Sequence, residues 1–221
     1  MHIPDGILSP AVLAGSALIS ATVVGYGFRW AKKKLEPPMI PTMGVMAAFL
    51  FAAQMINFPL LGAAASGHLL GGTLAAILFG FWPATLIMTT VVTIQALFFQ
   101  DGGITALGLN LLDMAVIAPA VSLGIYRLLE RISLPTSVRA FISAWTSVVA
   151  AALMAAFALG LSGVVSYGVA FSSLLLWHSL IGIGEGIITA VILPFASRSS
   201  LQLLPQKLRI DAGKESEVGH S

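Results

Sequence analysis

Stretches of about 20 residues that carry no charge recur along this chain, and they constrain its fold more than any other feature. A helix of that length rises ~30 Å, the thickness of the hydrocarbon layer of a bilayer. The composition agrees: of 221 residues, 57% are hydrophobic and 9% charged. Soluble domains carry charge on about a quarter of their residues. The chain therefore reads as an all-α polytopic membrane protein.

Charge-poor stretches between polar or Pro/Gly-rich breaks fall at 8–29, 40–58, 68–81, 83–100, 104–126, 137–161 and 171–195, which predicts seven transmembrane helices. The stretch 68–81 is short for a crossing and could instead be re-entrant. The basic residues bear on that choice. They gather as Lys32-Lys33-Lys34, as Arg127, Arg131 and Arg139, and as Arg198, Lys207 and Arg209, all expected on the cytoplasmic side. An even number of crossings must then separate the first two clusters, so 68–81 is expected to cross. The N-terminus falls outside and the C-terminus in the cytoplasm. Met1, the approach to His68 and Asp101-Gly102-Gly103 share the outer face. Residues 1–200 are expected to form one transmembrane domain, and the polar tail 201–221 a disordered cytoplasmic extension in which His220 is incidental.

The opening Met1-His2-Ile3-Pro4-Asp5-Gly6 has an acid and no base, unlike the start of a signal peptide, so Met1 is expected to stay with a free amine. No cysteine is present, which restricts any metal site to nitrogen and oxygen ligands. The basic clusters bear on topology and give no sign of a nucleic-acid partner. Walker A, His-Glu-x-x-His and Gly-x-Ser-x-Gly patterns do not occur. The chain is thus read as no enzyme, and energy for active uptake would come from elsewhere.

Four nitrogen donors can be assembled from the chain start and two histidines: the Met1 amine, a deprotonated His2 amide, the His2 Nδ1 and the His68 ring. The first three close a five- and a six-membered chelate ring, a geometry that suits tetragonal Ni(II) or Cu(II), whereas Zn(II) prefers a tetrahedron. A histidine at position two occurs by chance in about one protein in forty, so His2 alone carries little. His68 either supplies the fourth nitrogen or is a helix-end histidine bonded to a nearby carbonyl. His178 and Glu185, seven residues apart, lie on one helix face and read as a buried polar pair, structural or part of an ion path. Asp113 is expected to be neutralised or paired within the bundle. Gln54 suits interhelical hydrogen bonding, while Asn57, Gln95 and Gln100 lie towards outer span ends, where groups orienting the ligands would sit. Asp101 is expected to cap the helix that follows its turn.

The opening decapeptide Met1–Pro10, with Ser66-Gly67-His68-Leu69-Leu70-Gly71-Gly72, Gln95-Ala96-Leu97-Phe98, Asp101-Gly102-Gly103 and Gly108-Leu109-Asn110, resembles the CbiM/NikM family over residues 1 to about 195. These are substrate-binding S components of energy-coupling-factor ABC transporters for cobalt and nickel. The resemblance implies seven helices with the N-terminal segment folded back into the bundle. It implies metal ligation by Met1, His2 and His68, with Asn57, Gln95 and Asn110 near the site. It also implies a small membrane partner subunit, a coupling transmembrane component and cytosolic ATPase components, in the cell membrane of a prokaryote. Asp113 departs from the uncharged residue usual there. Retention of Met1 looks more like the nickel branch, so the expected function is capture of Ni(II) for ATP-driven uptake, with Co(II) as the alternative. A reading of another class is an autonomous ion-coupled transporter working through His178, Glu185 and Asp113.

Overall fold

The computed structural model describes residues 1–199, so the tail 201–221, His220 and the bases Lys207 and Arg209 lie outside the described residues. The fold is helical except for one small hairpin. Helix α1 (Pro10–Lys34) opens on a proline, which costs nothing where no amide partner exists, and closes on Lys32, Lys33 and Lys34, which favour its negative end. Helix α2 (Met39–Gln54) leads into strands β1 (Phe58–Leu60) and β2 (Ala65–Gly67), paired antiparallel with Phe58 opposite Gly67. Then follow α3 (Gly72–Phe79), α4 (Phe81–Phe98), α5 (Leu107–Leu111), a π-helical turn (Leu112–Ile117), α6 (Ala118–Leu129), α7 (Thr136–Leu161) and α8 (Tyr167–Ser199).

Among the described residues, five helices are long and apolar enough to cross a membrane: Pro10–Lys34, Phe81–Phe98, Leu107–Leu129, Thr136–Leu161 and Tyr167–Ala196. Met39–Gln54 is apolar but shorter, at 16 residues. The chain is a multi-pass membrane protein. The helix expected over 68–81 is confined to Gly72–Phe79, whose eight residues rise only about 12 Å. Gly71 and Gly80 bound it with φ of 72° and 85°, left-handed values that glycine tolerates and that stop a helix. His68 therefore sits in an extended link ahead of α3 and not on a helix.

The side chains are distributed as a bilayer demands. Helix α1 buries Ser16, Ser20, Val24 and Gly27, and exposes Leu18, Ile19, Tyr26 and Phe28. The small residues let α1 approach its neighbours, and the two serine hydroxyls donate to the Val12 and Ser16 carbonyls one turn back, at 2.7 and 2.8 Å. Helix α7 repeats the device with Ala140, Ser143, Ala144, Ser147, Ala151, Ala152 and Ala155 inward. Every residue of α3 is buried.

Two apolar clusters fill the bundle. One gathers Met1, Ile3, Leu8, Leu60, Leu70 and Leu109 with the last turns of α7. The other gathers Leu50, α3, much of α4, Met114 and Leu123. The first marks the end where the N-terminus, the hairpin and the α4–α5 loop meet. Lys32–Lys34 close α1, Arg127 lies in the last turn of α6 with Arg131 in the turn beyond it, and Arg139 lies in the first turn of α7, all at the opposite end from it.

Candidate metal centre

A charged chain terminus belongs in water, yet Met1 is 0% and His2 2% exposed. Residues 1–5 are held inside because their backbone groups find partners, as buried amides and carbonyls must. The Ser66 amide donates to the His2 carbonyl at 3.1 Å, and the His2 amide donates to Ser66 Oγ at 2.9 Å. Asn110 grips Ile3 from both sides: its Oδ1 accepts from the Ile3 amide at 2.9 Å and its Nδ2 donates to the Ile3 carbonyl at 3.1 Å. The Gly103 amide donates to the same carbonyl at 2.9 Å. Further out, Asp5 accepts from the amides of Ile104 and Thr105 at 3.1 and 2.7 Å and from the Thr105 hydroxyl. Helix α5 has no side-chain cap, so Asp101 does not take the capping task expected of it, and Asp5 instead holds the turn that leads into the helix.

Each imidazole has one nitrogen tied to a carbonyl-type oxygen, and this fixes which nitrogen keeps a lone pair. His2 Nε2 donates to Gln95 Oε1 at 3.0 Å, leaving Nδ1 as the acceptor nitrogen. That Nδ1 is buried with no hydrogen-bond partner, 3.4 Å from Asp101 Oδ1. His68 Nδ1 donates to the Leu69 carbonyl at 2.8 Å, so its Nε2 is the acceptor, and it meets the Met1 amine directly. The two rings stack with centroids 4.6 Å apart. The carbonyl bond expected of His68 is present, though on a link and not at a helix end, and that bond aims its other nitrogen at the chain start. Burial lowers the Met1 amine from 8.0 to about 5, against the opposing pull of Asp113, Asp101 and Glu185. Burial, followed by the nearby amine, lowers His2 to about 3, against its bond to Gln95. At neutral pH the amine and the His2 ring both offer lone pairs.

The link carrying His68 is pinned from two helices. Glu185 of α8 accepts from the Leu70 amide at 2.6 Å and from the Gly71 amide at 3.0 Å, while Gln54 of α2 donates to the Leu70 carbonyl at 2.5 Å. Glu185 is therefore not paired with His178, as the sequence suggested. His178 Nδ1 donates to the Leu174 carbonyl at 2.9 Å, and its Nε2 is buried with no hydrogen-bond partner. Asp113 lies in the π-helical turn, 2% exposed, with Oδ1 likewise unpartnered. No hydrogen bond joins His178, Glu185 and Asp113 directly to one another among the described residues.

The remaining expected residues fall near the centre in different ways. Gln95 touches the His2 ring, Asn110 holds the Ile3 backbone, and Asn57 Nδ2 donates to Asp101 Oδ2 at 2.8 Å. Ser66, Asp5, Gly103 and the task of Glu185 escaped sequence reading, although the Gly102-Gly103 doublet is a signal of close backbone approach. No group of three or more His, Cys, Asp or Glu side chains that could hold a metal occurs among the described residues.

The family model CbiM, described as cobalt uptake substrate-specific transmembrane region, matches residues 2–203. A chain of Archaeoglobus fulgidus, named for fused nickel transport (NikMN), is 39% identical over 210 residues, which cover 94% of this chain and 69% of that one. A chain of Haloquadratum walsbyi, named for metal transport, is 43% identical over 192 residues, covering 86% of this chain and 87% of that one. Among solved structures, the crystal structure of a truncated transition metal transporter superposes with a TM-score of 0.85 at 33% identity, covering 90% of this chain and 99% of that one.

Proposed function

Because this chain belongs to the CbiM family, whose members are membrane components of cobalt and nickel transport, we propose that it captures Ni(II) through its own N-terminus. The four donors are the Met1 amine, the His2 amide nitrogen, His2 Nδ1 and His68 Nε2. The observation that carries this reading is the pair of fixed tautomers. Gln95 and the Leu69 carbonyl each take the proton of one ring nitrogen, which leaves lone pairs on Nδ1 of His2 and Nε2 of His68, the two nitrogens that a chelate begun at Met1 requires.

Ni(II) suits four nitrogens in a square, and a deprotonated amide is a strong donor in that plane. The His2 amide proton, now donated to Ser66 Oγ, has to leave when the metal binds. Co(II) is the second reading, favoured by the description of the matching family. Absorption of the nickel-loaded protein tests the geometry: a d–d band of diamagnetic square-planar Ni(II) is expected, and paramagnetic or tetrahedral spectra would overturn it.

The pH dependence follows from the same groups. The amine, lowered to about 5, is already unprotonated at pH 7, so the amide supplies most of the proton released, roughly one per metal. Affinity should rise about tenfold per pH unit from 6 to 8, and fall more steeply below pH 5, where the amine also takes up a proton. Calorimetry in buffers of different ionisation enthalpy reads both. A second prediction concerns Glu185. Replacing Glu185 by Ala frees the amides of Leu70 and Gly71 and loosens His68, and should weaken Ni(II) binding about 10–100-fold by calorimetry, with less loss for Glu185→Gln.

The transport cycle is proposed on the same footing. The link at 65–71 and α3 together make the crossing between α2 and α4, half extended and half helical, as broken helices do around ion sites. That gives seven crossings, with the N-terminus outside and the basic ends of α1, α6 and α7 in the cytoplasm, in agreement with the positive-inside rule. Residues 1–200 act as one domain, with 201–221 as a cytoplasmic tail. A small membrane subunit, a coupling membrane component and an ATPase supply release and energy, and this chain itself catalyses no reaction.

A further inference from the structure

We propose that the Asp101 carboxylate takes hold of the arriving divalent cation first and hands it to His2 Nδ1. This rests on the metal-capture reading above. Met1, His2 and His68 are at most 2% exposed, so an aquated ion in the outer medium cannot meet them directly. Six carboxylate residues lie among the described residues: Asp5, Glu36, Asp101, Asp113, Glu130 and Glu185. Glu36 and Glu130 sit at the basic end of the bundle, and Asp113 and Glu185 are buried within it. Asp5 is at the right end, but its two oxygens are occupied by the amides of Ile104 and Thr105 and the Thr105 hydroxyl.

Asp101 differs from the others in orientation. Its side chain is 13% exposed, its Oδ2 is held by Asn57, and its Oδ1 faces His2 Nδ1 at 3.4 Å. The Asp101 amide donates to the Gln95 carbonyl at 3.1 Å, and the side chain of the same Gln95 holds the His2 ring. The carboxylate and the imidazole are thus fixed against each other through one residue. An ion bound ~2 Å from an oxygen and ~2 Å from a nitrogen spans ligand pairs about 3–3.5 Å apart, so one cation can touch Oδ1 and Nδ1 together. A carboxylate oxygen exchanges for one water of the aquated ion without losing a proton, and the ion then rolls onto Nδ1 as its remaining waters leave. A single negative group at the mouth of a low-dielectric site also concentrates cations there.

Stopped-flow mixing of the purified full-length protein with NiCl2, and release into excess chelator, separates arrival from holding. Asp101→Asn keeps the size and an acceptor oxygen but removes the charge. It should slow association about tenfold or more, leave release unchanged, and weaken the fall of the association rate with added salt. Asp101→Glu should recover part of the rate. An unchanged association rate in Asp101→Asn overturns the proposal, and faster release with unchanged association would make Asp101 only a support for His2. If the wild-type protein takes up no nickel, the capture reading itself fails, and this inference with it.

Discussion

One extra residue placed before Met1 is expected to abolish Ni(II) binding by a protein that otherwise folds normally. The Met1 amine touches His68 Nε2 inside the bundle, with no exposed surface, so an added residue has no path to solvent without pulling the amine away. It also turns that amine into an amide with no basic lone pair. Acetylation of the native terminus does the same without adding a residue, and His2→Ala removes Nδ1 while leaving the amine. Because amine, amide and Nδ1 belong to one chelate, each change breaks linked rings and not a single bond. A loss of at least ~1000-fold, or about 4 kcal/mol, is expected for the extended chain. Calorimetry, or metal content after dialysis, measures it, and undiminished binding by the extended protein would remove the terminus from the site.

What the sequence could reveal divides along physical lines. The long helices were legible because lipid demands unbroken apolar runs, so Pro10–Lys34, Thr136–Leu161 and Tyr167–Ala196 follow the charge-poor stretches closely. The segment around His68 was not, because its extended shape is dictated by Glu185, more than a hundred residues away, taking the amides that a helix would have used. Likewise, Glu185 looked like a partner for His178 because period and spacing speak only of one helix. The contact that decides its role lies outside that helix, on the link before α3. His2 and His68 were named as ligand candidates from their sequence surroundings, whereas the side chains that set their tautomers and hold the terminus act through space. Gln95 and Asn110 could be placed near the centre; which atom each grips could not.

Gly103→Ala carries that lesson to a position with no chemistry of its own. A Cβ on Gly103 would lie 2.7 Å from the Pro4 carbonyl carbon and closer still to the Asp5 backbone, well inside the distance real Cβ atoms keep. Rotating the Asp5 side chain would clear its Oδ1, 2.5 Å away, but the Asp5 amide and the Pro4 carbonyl carbon are backbone and cannot give in that way, and the proline ring fixes φ at Pro4. The segment from Met1 to Asp5 must therefore move outward, and the bond from the Gly103 amide to the Ile3 carbonyl stretches first. One and two residues further in stand the His2 ring and the Met1 amine, which a square of donors would require to within a fraction of an ångström. Nickel affinity should drop about 100-fold, as it does when supports of a metal ligand are lost, while unfolding of the metal-free protein in detergent shifts little. Gly124→Ala, on α6 with nothing within 4 Å of the added carbon, is the matched comparison and should bind like the wild type. If Gly103→Ala keeps full affinity, the terminus is not held against the 101–105 loop when metal is bound, and the close approach seen here serves folding alone.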